Sequence, residues 1–220
     1  MNTHSAAAAL VAAGAVLAGV DSVLRDRARF AFCAVRPPGH HAEAAQAMGF
    51  CLFNNVAVGA AHALARGLTR VAILDFDVHY GNGSARIFAG DPRVLVCNSF
   101  QQQIYPYWHA ENAPNCADAP LSAGDGGERF REAIERIWAP ALARHAPELI
   151  LVSAGFDAHA DDPLAGLALL EDDFGWIGCR IRAWAQEYCG GRVVASLEGG
   201  YDLRALAASV EAFVRPFCTD

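Results

Sequence analysis

At 220 residues, 54% hydrophobic and 19% charged, the chain has enough apolar material for one well-buried domain and too much for a disordered segment. With 17 basic against 24 acidic residues the net charge is −7, and no Lys/Arg cluster interrupts it, which excludes a nucleic-acid partner held by phosphate neutralisation and favours cationic substrates instead. The cysteines (Cys33, Cys51, Cys97, Cys116, Cys179, Cys189, Cys218) are odd in number and form no C-x-x-C pair, so they read as small core residues of a reducing, cytoplasmic compartment.

The chain opens on the apolar run Ala6–Val20. It is too short for a membrane span and lacks a basic segment before it, so the pattern predicts a soluble Ala-rich helix on a sheet, capped by Ser5 and ending near Arg25. Phe30–Val35 (FAFCAV) reads as a buried strand, and the following Arg36-Pro37-Pro38-Gly39-His40-His41 as a stiff loop presenting two adjacent histidines, because two prolines forbid helix or ladder continuation. Gly49-Phe50-Cys51 leads into a helix over Asn54–Arg66, stopped by Gly67.

Val71–Leu74 has the look of a central strand buried on both faces. Asp75, Asp77 and His79 follow at a spacing of two, and in extended chain such residues project the same way. Two carboxylates and an imidazole past a strand end match the donor set that Zn²⁺ accepts. Gly81-Asn82-Gly83 supplies a tight turn, Ser84–Ala89 a helix and Val94–Cys97 a strand. Gln101–Asn115 is irregular; its Tyr105, Tyr107 and Trp108 either line a pocket or pack a long loop.

Glu128–His145 reads as an amphipathic helix bent at Pro140, and Leu149–Ser153 as a strand leading into Gly155-Phe156-Asp157-Ala158-His159 and Asp162-Pro163-Leu164. A helix over Glu171–Tyr188, entered through acidic residues, precedes a last strand, Arg192–Leu197. Glu198-Gly199-Gly200-Tyr201-Asp202 then leads into a closing helix from Leu203 to about Val214. Alternating strands and helices predict a parallel sheet with right-handed crossovers. His40/His41, Asp75/Asp77/His79, Asp157 and Tyr201 then converge on one rim, and Asp77, His79 and Asp157 make a three-ligand set with an open fourth position, the catalytic pattern for zinc.

Five ordered blocks, RPPGHH (36–41), GFC (49–51), DFDVHYGNG (75–83), GFDAH with DPL (155–164) and EGGY (198–201), resemble the signature blocks of the histone deacetylase superfamily, including its class II and acetylpolyamine amidohydrolase members. The resemblance implies residues 1–220 as a single deacetylase-like catalytic domain of three αβα layers around a mainly parallel sheet, the arginase–deacetylase fold, here N-terminally short. It implies hydrolysis of an acetylated lysine or related acetylated amine. Asp77, His79 and Asp157 would be ligands of Zn²⁺, with Fe²⁺ as the alternative. His40 and His41 would be the proton-handling pair, paired with Asp75 and Asn82, and Tyr201 the oxyanion donor. Gly49, Phe50 and Tyr105 would wall the substrate channel, and Leu164 would be its gatekeeper, favouring acyl-lysine over polyamines.

Backbone oxygens of Asp75, Asp77 and His79, with Asn98 and Ser99, match the family's structural K⁺ site, though Asn98 stands where Ser is usual. Tyr80 replaces a commoner His, with an effect on packing. A short N-terminus would leave Phe30–Val35 as a sheet edge, covered by the first helix or by self-association. The alternatives are a catalytically impaired metal-binding remnant acting as an interaction module and an acetylpolyamine deacetylase. Arginase-like two-metal chemistry on ureas is disfavoured, because His40, His41 and Tyr201 suit one metal.

Overall fold

Alternation along the strands decides the layers. In β2 (Val71–Asp75), buried throughout, Val71 and Ile73 pack to one side of the sheet while Ala72 and Leu74 pack to the other. The computed structural model describes residues 1–109 and 113–218. The first face is covered by α1 (Ser5–Leu24) and α2 (Asn55–Ala65), whose Val16, Val20, Val56 and Ala60 join Val71 and Ile73. The short α3 (Asn82–Ile87) lies on the same side through Ile87. The second face is covered by α4 (Gly127–His145), α5 (Glu171–Cys189) and α6 (Leu203–Val214), with Trp138, Phe174, Ile177 and Phe213 at its centre.

Between the layers runs an all-parallel sheet in the order β1-β6-β5-β2-β3-β4, made of β1 (Phe30–Cys33), β2, β3 (Val94–Gln101), β4 (Cys116–Leu121), β5 (Leu149–Ala154) and β6 (Val193–Leu197). Every strand points the same way, so all carboxyl ends meet at one rim. The neighbours β2 and β5 send their chains to opposite faces, β2 to α3 and β5 to α5, which opens a crevice between them.

Five local expectations need correction. Ser5 is the first helical residue rather than the cap: its Oγ accepts the Asn2 N–H at 2.9 Å, and His4 sits at the cap with no side-chain bond. The helix it opens has 20 residues, long and apolar enough by length and composition to cross a membrane, so shortness is no argument about the first segment. In the fold, its Ala9, Ala12, Val16, Val20 and Val23 are buried, and Gly19 lies over Ala31 and Cys33 of β1. β1 stops at Cys33, two residues early, because the Val35 N–H turns back onto the Cys33 carbonyl. β3 continues through Asn98 and Ser99, whose register partners in β4 are Asp118 and Ala119. β4 begins directly after the stretch read as irregular, in residues 116–121 to which the sequence reading assigned no element; residues 110–112 of that stretch lie outside the described residues. α4, by contrast, runs through Pro140 to His145 as the sequence reading has it.

Among the described residues β1 is an edge strand, as expected. α1 covers its side-chain face and Phe217 stacks on Phe30 at 4.0 Å, but no strand pairs with its outer side. All seven cysteines are free, and Cys33, Cys51, Cys97 and Cys189 are buried.

Candidate active site

Alternation continues one step past the ends of β2 and β5. Phe76 and Phe156 turn down into an aromatic cluster with Phe213, 5.2 Å and 6.0 Å away between ring centres. Asp77 and Asp157, the next residues, are thereby turned up into the crevice. With His79 they offer two carboxylate oxygens and an imidazole nitrogen, all within 4.8 Å of one another. His79 Nδ1 lies 3.0 Å from Asp77 Oδ1 and 3.1 Å from Asp157 Oδ2. The remaining oxygens are anchored by main chain: Gly199 N–H donates to Asp77 Oδ2 at 2.9 Å and Val78 N–H to Asp157 Oδ1 at 3.0 Å. Only glycine serves at 199, since a Cβ there would overlap both carboxylates.

The electrostatics of this cluster call for a cation. Burial, and then repulsion from Asp77, pushes Asp157 up to about 6. Burial works against a charged His79, yet its contacts with Asp157 and Asp77 raise it to about 10. Two buried carboxylates and one imidazole, oriented by backbone donors, fit a borderline divalent ion with N/O preference such as Zn²⁺.

His40 and His41 lie beside the cluster with ring centres 4.0 Å apart, and their environments differ. His40 Nδ1 meets Asp75 Oδ2 at 2.9 Å; burial opposes its charge, but the Asp75 and Asp77 carboxylates hold it well above the ordinary imidazole value. His41 Nδ1 meets Asn82 Oδ1 at 2.7 Å. The Asn82 amide nitrogen donates to Glu43 Oε1 at 2.8 Å and to the His41 carbonyl at 3.3 Å, which fixes its oxygen as the acceptor toward His41. His41 therefore donates from Nδ1 and keeps a lone pair on Nε2. Burial and the neighbouring His40 charge push it down to about 3, so it is neutral.

These side chains border a cavity of about 420 Å³, walled by Gly49, Phe50, Tyr105 and Leu164 and closed on one side by Tyr201. Gly49 and Phe50, at φ 56° and 64°, form a tight turn in which Cys51 N–H donates to the Met48 carbonyl at 2.9 Å. Any Cβ on Gly49 would overlap the His41 ring, so the turn packs directly on that imidazole. Phe50 is 70% exposed, and Tyr105 stands edge-on to His41 at 4.9 Å. Burial and the Asp77 and Asp157 charges raise the Tyr201 phenol above its ordinary value, so its hydroxyl stays a donor at neutral pH.

All the residues singled out in the sequence for ligation, proton handling and channel walls thus meet in one place. Asn98 is opposite Asp75 in the ladder, and its buried Oδ1 has no hydrogen-bond partner while its Nδ2 donates to Asp118 Oδ1 at 3.0 Å. An orphaned carbonyl oxygen there fits a hard cation such as K⁺. Tyr80 is buried against Phe100 and donates to Asp118 Oδ2 at 3.3 Å. Two carboxylates had no role in the sequence reading. Asp162 accepts the Tyr201 N–H at 2.7 Å and the Leu164 N–H at 3.0 Å, and Glu198 accepts from the histidine loop. Their sequence signal is their place in the DPL and EGGY blocks, which gave neither of them a role.

A family profile described as "Histone deacetylase domain" matches residues 1–217. "Histone deacetylase 10, chloroplastic" of Oryza sativa subsp. japonica is 43% identical over 94% of this chain and 50% of its own length. "Histone deacetylase-like amidohydrolase" of Pseudomonas aeruginosa is 42% identical over 96% of this chain and 55% of its own. The chain thus spans about half the length of these curated relatives. A solved structure described as "Crystal Structure of HDA15 HD domain" superposes with a TM-score of 0.92 at 35% identity, over 100% of this chain and 66% of that one. That likeness bears out the arginase–deacetylase arrangement expected of the sheet.

Proposed function

The chain belongs to the histone deacetylase family, and we propose that it is a zinc-dependent amidohydrolase that removes acetyl groups from acetylated lysine side chains or related acetylated amines. The observation that carries this reading is the single cavity of about 420 Å³ that gathers Asp77, His79, His40, His41 and Tyr201 behind apolar walls. Asp77, His79 and Asp157 would hold the ion, Zn²⁺ or alternatively Fe²⁺. When bound, it supplies Lewis-acid polarisation of the amide carbonyl and acidification of a water.

The protein's own residues do the rest. His41, neutral and holding its Nδ1 proton on Asn82, offers Nε2 as the acceptor for the water's proton. His40, fixed on Asp75 with Nε2 3.7 Å from Asp77 Oδ1, is placed to return a proton to the leaving amine. Tyr201 aims a protonated hydroxyl at the carbonyl oxygen as it becomes an oxyanion. Phe50 and Tyr105 sheathe the aliphatic stem of the substrate and keep water from the reacting carbonyl.

Leu164, 48% exposed at the mouth, sets the substrate class. Its N–H is fixed by Asp162, so a replacement side chain would occupy the same place. An uncharged leucine favours acetyl-lysine over acetylspermidine. Leu164→Glu is expected to shift the kcat/KM ratio toward acetylspermidine by about 2–5-fold, the worth of a half-exposed charge pair of about 0.5–1 kcal/mol. A wild-type ratio that already favours the acetylpolyamine would overturn the lysine assignment.

We also propose that the 220-residue chain pairs with a second copy through β1. The strand FAFC lies at the sheet edge without Lys or Pro, and such edges recruit strands. The sedimentation coefficient should rise with concentration. Strictly monomeric behaviour, with the Phe30–Cys33 amides unprotected in deuterium exchange, would contradict the pairing.

A further inference from the structure

We propose that Glu198 is a positioning residue for the histidine pair, holding the turn that carries His40 and His41 through its buried carboxylate. The role rests on the hydrolytic reading of the cavity. Glu198 follows β6 directly and is 2% exposed. Its Oε2 accepts two successive main-chain N–H groups, from Gly39 at 2.6 Å and His40 at 3.1 Å, and its Oε1 accepts the Ser153 hydroxyl of β5 at 3.1 Å. One carboxylate thus ties the ends of two central strands to the loop after the edge strand.

The loop's carbonyls are held elsewhere, the Pro37 oxygen by Asn55 Nδ2 at 3.2 Å and the His40 oxygen by the Gly83 N–H at 3.0 Å, whereas Glu198 holds its N–H groups. Pro37 and Pro38 carry no N–H, so Gly39 and His40 supply the first main-chain donors before the histidine side chains. Gly39 itself is pressed on the other side against the Phe53 carbonyl and Asn55, so the turn is clamped between α2 and Glu198. No Lys or Arg pairs with Glu198 among the described residues. The one positive charge acting on it is the neighbouring His40 imidazolium, and burial still raises Glu198 to about 7, so the place is a costly one for a carboxyl group, and for packing alone an apolar side chain would serve better. The cost is consistent with a demand for placement. His40 must reach Asp75 while His41 reaches Asn82, and a turn free to tilt would break one contact to keep the other.

Wild type, Glu198→Ala and Glu198→Gln are compared as zinc-loaded protein on an acetyl-lysine amide, with kcat, KM and bound zinc read on each, and deuterium exchange over residues 39–41 read on the same samples. Glu198→Ala should lower kcat about 100-fold, the scale of a roughly 1 Å misplacement. KM should stay within about threefold, with zinc still bound, and exchange at 39–41 should accelerate. Glu198→Gln keeps an oxygen for both N–H groups and should recover most of kcat and the slow exchange. If Glu198→Ala does not fold, Ser153→Ala loosens the carboxylate instead and should give a smaller loss of kcat at unmoved KM, with faster exchange. Wild-type exchange and kcat in Glu198→Ala, or in Ser153→Ala where that variant has to be used, would overturn the role. So would equal loss of kcat and zinc in the Ala and Gln variants. A wild-type chain that holds zinc without deacetylating contradicts the hydrolase reading instead, and the exchange data still decide whether Glu198 holds the turn.

Discussion

Asp157→Ala is expected to abolish both bound zinc and deacetylation. Asp157 enters the crevice from the end of β5 while Asp77 and His79 enter from β2, so its loss leaves the cluster open on one side with two ligands. Changes that merely disturb the setting of a ligand typically cost about 10–100-fold in metal affinity, and removal of one of three anchoring donors costs more. Asp157→Asn sharpens the test, because an amide can still accept the Val78 N–H that Asp157 Oδ1 accepts at 3.0 Å while the anionic ligand is lost. Both variants should fold and both should lose zinc in a metal analysis after dialysis. Stoichiometric zinc in either would show that Asp157 is no ligand.

Tyr201→Phe should separate chemistry from metal binding. The ring stays in place, because its contact with Phe50 at 6.4 Å and the main-chain bond to Asp162 do not involve the hydroxyl. What disappears is one donor aimed at the developing oxyanion. Loss of such a donor costs about 10²–10³ in kcat, roughly 2.7–4 kcal/mol of transition-state stabilisation. Zinc content and KM should remain near wild type. A kcat within a few-fold of wild type in the Phe variant would remove Tyr201 from the chemistry.

How far the sequence carries the structure depends on where the physical signal lies. β2 and β5 were legible because each is an apolar run buried on both faces with polar residues beginning at its end, and the crevice forms between these two strands. β4 was missed because it reads CADAPL: small residues alternate with Asp118 and an exposed Pro120, which an edge strand tolerates and a central one would not. Asn98 and Ser99 look like turn residues in the sequence, yet Asp118 across the ladder supplies the partner that lets Asn98 stay in β3. Ser5 fails as a cap for a local reason, since the preceding Asn2 engages its hydroxyl. The candidate ligands and histidines could be read off strand ends, because a parallel sheet gathers those ends wherever they fall in the chain. Glu198 and Asp162 could not. Each acts by accepting main-chain N–H groups, for Glu198 from a residue 159 positions away, and no periodicity encodes such a partner.

On the proposed reading, one ion held by Asp77, His79 and Asp157 works with His40, His41 and Tyr201 on an acetylated amine. Its most direct test is stoichiometric: zinc per chain and acetate released from an acetyl-lysine amide, measured on the same sample with and without a hydroxamate chelator. The expected result is one zinc per chain, multiple turnovers, and loss of turnover when the hydroxamate is added. One tightly bound zinc per chain with no acetate released from acetyl-lysine or acetylpolyamine substrates would contradict it, and would favour a metal-binding module that has lost its chemistry.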